Sequence, residues 1–213
     1  MRRANAQLQL DRRAEILVAA ARCFARSGFH GASMQDICAE AVMSPGNLYR
    51  YFRSKEEIIA AICERDRAIA AEGFAMVNRA PDFWSAFAGL AHYHFVERST
   101  EDVAICAEVF AESRRNPEIA RLNQQFDGDV KQWMGDLLRQ AAARGDIHPQ
   151  TDIAAAVAML MVMADGLFWR RATDPSFDPA AVLPLFLATT KHMLTSGPHA
   201  GAASAKEGTS HEG

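Results

Sequence analysis

Apolar residues recur at helical spacing along almost the whole chain, and the alternation that would mark a half-buried strand is nowhere sustained. Ile16, Leu17, Ala20 and Phe24 share one face of a first helix, about residues 12–27, with Gly28 as its stop. Ser33 precedes a short helix at 34–41, with Asp36 placed three residues on, as in a capping box. Ser44 caps a third helix whose first turn holds Pro45, where a missing N–H costs nothing. Ser54 and Glu57 complete a Ser-x-x-Glu box for a long fourth helix, Lys55 to about Arg79. Further helices are predicted near 83–97, 101–115 (capped by Thr100), 117–144 (between Asn116 and Gly145), 152–172 and 179–195. From Gly197 the chain turns to Gly, Ala and Ser with scattered charge, the composition of a disordered tail, and a metal role for His199 or His211 within it is not expected. The predicted fold class is all-α: a three-helix module at 1–55, a larger helical domain at 56–196 and a tail at 197–213.

Composition bounds this picture. Apolar residues make up 49% and charged residues 23%, enough to build a core and too apolar for a disordered chain. No uninterrupted apolar run approaches the roughly 20 residues that cross a bilayer, and the first residues lack the apolar stretch of a signal peptide. A cytoplasmic protein without a membrane partner is therefore expected. Cys23, Cys38, Cys63 and Cys106 form no CxxC pair, so a zinc site or disulfide framework is not expected. Buried reduced thiols are the plain reading, with a redox-sensing cysteine as the alternative.

The net charge of −3 argues against a nucleic-acid partner until it is divided along the chain. Residues 1–55 carry nine basic and four acidic side chains, a net of +5, and the remainder carries fourteen against twenty-two, a net of −8. Such asymmetry fits a basic module on a polyanion and an acidic body held away from it.

The segment SMQDICAEAVMSPGNLYRYFRSK, Ser33 to Lys55, gives that asymmetry a purpose. It reads as two short helices joined by a tight turn. Ile37, Ala41, Leu48 and Phe52 have the spacing to pack inward on Leu17 and Phe24. The opposite face of the second short helix keeps Pro45, Gly46, Asn47, Tyr49, Arg50 and Tyr51. Small residues let the backbone approach base edges, Asn can bond them, and hydroxyls and cations beside them can hold phosphates. A helix lying in the major groove of double-stranded DNA has this chemistry.

The run SPGNLYRYFRSKEEI resembles the signature of the TetR family of regulators, and RRAEILVAAARCFARSGFHGASMQDIC resembles that family's first helices. The resemblance covers residues 11 to about 60 and implies a helix-turn-helix transcriptional regulator rather than an enzyme, acting without a cofactor. It implies that the recognition helix starts at Ser44, that Pro45, Gly46, Asn47 and Tyr49 face the bases, and that Ser33, Met34, Arg50, Tyr51 and Lys55 lie at or near phosphates. The family commonly has Gly in the turn; here Ala41-Val42-Met43-Ser44 stands there, and a β-branched Val is strained if the turn needs a positive φ.

A single such module reads few base pairs, so a homodimer on a two-fold operator is expected. Ile153, Val157, Leu160, Ala164, Leu167 and Phe168, with Val182, Leu185, Phe186, Thr189 and Met193, form two apolar stripes suited to a four-helix interface, or else to closing the subunit core. The middle helices are rich in aromatic and methionine side chains and are expected to enclose a small-molecule effector. Phe87, His94, Phe110, Asn123, Phe126 and Met163 are the candidate lining; His94 and Asn123 are polar groups on apolar faces, which need partners when buried. An apolar or aromatic effector is expected rather than a sugar or phosphate, since no cluster of Arg or Lys is expected among these helices. Asp102, Glu108 and Glu112 read as a solvated helix face. No catalytic constellation stands out, and the acidic body argues against a nonspecific architectural DNA-binding protein.

Overall fold

The structure is a computed structural model that describes the backbone of residues 2–197 and the side chains of 7–197. Beyond Gly197 the expected tail, with His199 and His211, lies outside the described residues. Within them every regular element is helical: α1 (Arg2–Gly31), α2 (Met34–Glu40), α3 (Pro45–Leu48), α4 (Lys55–Arg79), α5 (Phe83–His92), a π-helical turn (Tyr93–Glu97), α6 (Thr100–Glu112), α7 (Pro117–Arg144), α8 (Ile153–Thr173) and α9 (Pro179–Thr195).

Two boundaries differ from the sequence reading. α1 begins at Arg2 rather than near residue 12; its early turns gave no apolar signal because Leu8 and Leu10 point to solvent. Ser99, not Thr100, caps α6, accepting from the Asp102 amide at 3.0 Å. Gly28 breaks α1 as its sequence suggests, with φ 68° and ψ 169°, and helical hydrogen bonding resumes through Gly31.

Two buried clusters organise the chain. The first gathers Ile16, Leu17 and Phe24 of α1, Ile37 of α2, Leu48 of α3, then Phe52, and Ile58, Ile59 and Ile62 of α4. It also takes in Ile105 and Val109 of α6 and Ile119 of α7. A boundary at residue 55 therefore cuts through a shared core. The second cluster holds Phe74 and Val77 of α4, Phe83 and Phe87 of α5, Phe95, Leu137 and Leu138 of α7, Leu160 of α8 and Phe186 of α9. α4, about 37 Å long at 1.5 Å per residue, inserts one end into each cluster and so joins them mechanically.

The two apolar stripes expected to form a dimer interface mostly close the subunit. Val157, Leu160 and Phe186 are buried, and Ile153, Ala164, Leu167 and Met193 pack against the second cluster. Outward on α8 stand Met159, Val162 and Trp169, which lie outside the expected stripe, while on α9 Leu185 of the expected stripe also faces out, each at least half exposed. α8 is also long and apolar enough by length and composition to cross a membrane, with a mean hydropathy of 1.6 over an 18-residue window of which 17% is buried in the subunit. Asp165 interrupts its apolar run, so the helix holds no unbroken apolar stretch of membrane length. It is apolar on both sides, one packed on the core and one uncovered.

The turn between α2 and α3 has the backbone that its missing glycine would suit. Val42 sits at φ 51°, is 92% exposed and packs against nothing that repays the conformation. A left-handed backbone costs an L-residue roughly 1–2 kcal/mol, more for a β-branched side chain. Val42→Gly is expected to raise unfolding free energy by about 1 kcal/mol in urea denaturation, part of the strain relief being offset by glycine's unfolded-state entropy.

Candidate nucleic-acid interface and effector region

α3 lies across the first cluster with Leu48 fully buried and Phe52 just beyond it at 1% exposure. That anchoring leaves Ser44, Pro45, Gly46, Tyr49 and Arg50 exposed, with Asn47 half-exposed beside them. The Ser44 hydroxyl makes no cap bond to its own helix, contrary to the capping role read from the sequence. Gly46 has no internal reason to be glycine: a Cβ built there would meet nothing within 4 Å. Tyr49 is 52% exposed, while Tyr51 is half-buried against the cluster and its carbonyl accepts from Arg13 Nη1 at 3.2 Å. The Arg13 guanidinium also lies over the Phe52 ring at 4.1 Å, so the start of α1 is tied to the end of α3.

Three residues expected at phosphates have internal partners. Lys55 Nζ donates at 2.7 Å to the carbonyls of both Phe29 and Ala32 and sits 4.6 Å over the Phe29 ring. These acceptors are freed where α1 kinks and ends, and an ammonium is the natural donor for such orphan carbonyls. Lys55 is thus a clamp on the end of α1. Ser33 and Asp36 form the full reciprocal capping box, which uses the Ser33 hydroxyl and holds the Asp36 carboxyl below its ordinary range through those side-chain and backbone hydrogen bonds. Met34 packs partly against the core. The basic excess of the N-terminal module is also partly neutralised: Arg12 pairs with Glu15, and Arg22 and Arg26 with Glu40.

The acids of α6 do not form a solvated face. Glu108 Oε2 accepts from the Phe29 backbone N–H at 3.1 Å, Glu112 is 5% exposed with Oε2 2.8 Å from His30 Nε2, and Asp102 pairs with Arg65 at 2.9 Å. The kink at Gly28–Ala32 is held by Lys55 on one side and by two α6 carboxylates on the other. No local pattern signals this, because residues about eighty positions apart meet there.

The six side chains proposed to line an effector pocket do not surround one space. Phe87 is buried in an aromatic stack with Phe83, their centroids 5.8 Å apart, and Trp84. Phe110 is 57% exposed beside Trp169. Met163 packs on the second cluster. Phe126 lines a crevice between α4 and α7 with Cys63, Glu64, Arg67, Leu122 and Gln125; at about 20 Å³ it suits one water. His94 stacks on Phe168 at 5.6 Å, and neither it nor Asn123 hydrogen-bonds to any protein group among the described residues. Burial, then the charges of Arg98 and Arg171, push the His94 imidazole down to about 4, so it is neutral at physiological pH. Burial likewise raises the Cys63 thiol to about 11 and that of Cys106 to about 12, which suits unreactive thiols rather than a redox sensor.

A family model described as bacterial regulatory proteins, tetR family, matches residues 16–62, and one described as BetI-type transcriptional repressor, C-terminal, matches residues 90–195. The HTH-type transcriptional regulator UidR of Escherichia coli (strain K12) is 32% identical over 162 residues, 73% of this chain and 79% of that protein. The chain belongs to the TetR family. It is a DNA-binding transcription regulator, not an enzyme. Among TetR-family relatives, the nicotine-responsive repressor HdnoR of Paenarthrobacter nicotinovorans is 28% identical over 174 residues, 80% of this chain and 88% of that protein. The structure of Salmonella enterica GusR matches with a TM-score of 0.71 at 27% identity, over 87% of this chain and 96% of that one.

In this TetR-family chain the Lys55 clamp separates a structural role from a phosphate contact. Lys55→Met is expected to lower unfolding free energy by about 2 kcal/mol in urea, the loss of charge-assisted bonds that leaves two carbonyls without their donor. The slope of log affinity against log salt for DNA should stay unchanged; a slope shallower by about 1 would show that Lys55 neutralises a phosphate instead.

Proposed function

We propose that the chain is a cytoplasmic repressor that grips a two-fold DNA operator as a homodimer and is released by a small, largely apolar or aromatic molecule bound among α4–α8. The observation that carries the DNA reading is the outer face of α3. Its inner residues are locked into the core, while Gly46 offers a close backbone approach that nothing inside the protein requires. Ser44, Pro45, Asn47 and Tyr49 stand beside it as base-facing groups, with Arg50 and Tyr51 toward the phosphates. The uncovered apolar face of α8 and α9 supports the dimer, since a patch of this kind marks an interaction surface. The aromatic body of the second cluster, and HdnoR's response to nicotine, support a small-molecule effector.

The mechanism follows from the joints. A ligand that binds one arrangement of the body more tightly shifts α4 and α6 together. Lys55 at the head of α4 and Glu108 and Glu112 on α6 grip the same kink, so that shift re-aims the whole N-terminal module. Two modules in a dimer must match the groove spacing of about 34–36 Å, and a change in it lowers affinity.

The test is selection of an operator from random DNA, followed by anisotropy titration against unrelated competitor DNA. A specific site should survive competition; equal affinity for all sequences would point to an architectural protein. Gly46→Leu is expected to keep or slightly raise stability, because glycine disfavours a helix by about 1 kcal/mol, while operator affinity falls at least about tenfold, the equivalent of about 1.4 kcal/mol. Asn47→Ala is expected to relax base preference at one operator position by about 1–3 kcal/mol; an unchanged ranking of operator variants overturns its base-reading role. Leu185→Glu is expected to yield monomers in analytical ultracentrifugation that bind a half-site weakly, whereas an intact dimer would show that the interface lies elsewhere.

A further inference from the structure

Among the helices where the sequence shows no basic cluster, the fold assembles one. Arg98 at the end of the π-helical turn lies over the Phe168 ring at 5.9 Å, Arg171 of α8 donates to the Arg98 carbonyl, and Arg65 of α4 shares Asp66 with Arg98. Arg98 Nη2 pairs with Asp66 Oδ2 at 2.7 Å, both side chains being nearly buried. Arg65 Nη2 reaches Asp66 Oδ1 at 3.1 Å and Asp102 Oδ1 at 2.9 Å. Arg171 has no carboxylate: it donates to the Phe95 carbonyl at 3.0 Å and to the Arg98 carbonyl. Three guanidiniums thus face two carboxylates, and one positive charge is left over among the described residues.

A partly buried, uncompensated cation is costly unless something pairs with it. Beside it His94, half-buried between Phe95 at 4.9 Å and Phe168 at 5.6 Å, makes no side-chain hydrogen bond to a protein group among the described residues. The backbone is distorted at the same place, since α5 gives way at Tyr93 to a π-helical turn, a rare feature that recurs at functional sites. Excess charge, a half-buried imidazole without a protein partner, an aromatic wall formed by Phe168 and an irregular turn coincide between α4, α6 and α8.

We propose that His94, Arg98 and Arg171 form the anion subsite of the effector region, and that the effector is an organic carboxylate whose apolar or aromatic body lies against Phe168. The inference rests on the effector reading above and refines it. The carboxylate supplies the missing negative charge to Arg171 and Arg98 and a hydrogen-bond partner to His94. Because Arg98 also holds Asp66 of α4, the head group acts directly on the helix that carries Lys55.

The experiment measures binding without DNA, so that it separates from the operator reading. Benzoate, 2-naphthoate and decanoate, each beside its primary amide, are titrated into the full chain by calorimetry and thermal melting, with the His94 ring followed by NMR. At least one acid should bind saturably and shift the His94 signals, with its amide about tenfold weaker or more, as expected for losing a charge-assisted pair. Arg171→Gln should abolish the preference for acid over amide, and Arg171→Lys, which keeps the charge, should retain it; circular dichroism confirms that both fold. Amides that match their acids, acid binding that persists in Arg171→Gln, or no saturable binding by any of the three acids overturns the proposal. Acids that bind at His94 yet leave operator affinity intact would sustain the subsite and remove the release mechanism.

Discussion

The short kink from Gly28 to Ala32 is the joint on which the molecule depends. A helix broken at a left-handed glycine leaves amides and carbonyls without helical partners, and in this chain those groups are satisfied by side chains of α4 and α6. Lys55 takes the carbonyls of Phe29 and Ala32, Glu108 takes the Phe29 amide, and the buried Glu112 holds His30. Orphan backbone groups are expensive to leave unpaired, so the orientation of the module is bound to the positions of α4 and α6. The apolar contacts agree: Ile105, Val109 and Ile119 of the body share a core with Phe24, Leu48 and Phe52. Module and body are therefore not two beads on a string; they share one core, on which α3 rests.

The distribution of charge has a different meaning in space than along the chain. The N-terminal excess of basic residues looks like a uniform polyanion-binding surface, yet several of those cations are paired within the module, and Lys55 faces inward. Toward solvent near α3 stand Arg13, Arg50 and Arg53, with small and polar residues ahead of the last two. In the body the reverse holds: an acidic segment conceals a local positive excess, because Arg65, Arg98 and Arg171 are far apart in sequence and adjacent in the fold.

Helical periodicity and capping chemistry are local properties, and the sequence determined them by itself: the all-helical class, the short helices after Ser33 and Ser44 and the long one after Ser54, the glycine break at residue 28, the inward Leu48 and Phe52, and the awkward Val42. Each follows from neighbours within a turn or two of chain. Which apolar stripe of α8 and α9 turns inward could not be read, because a helix that packs on its own core and also presents an apolar outer face carries the same residue types on both sides. The inner stripe went to the subunit and left Met159, Val162, Trp169 and Leu185 outside. The tertiary structure alone decided the partners of charged groups as well: Lys55 with Phe29 and Ala32, Glu112 with His30, Arg98 with Asp66. Such pairings join residues tens of positions apart, and a side chain's type states only that it needs a partner, while the packing of helices decides which partner comes within reach.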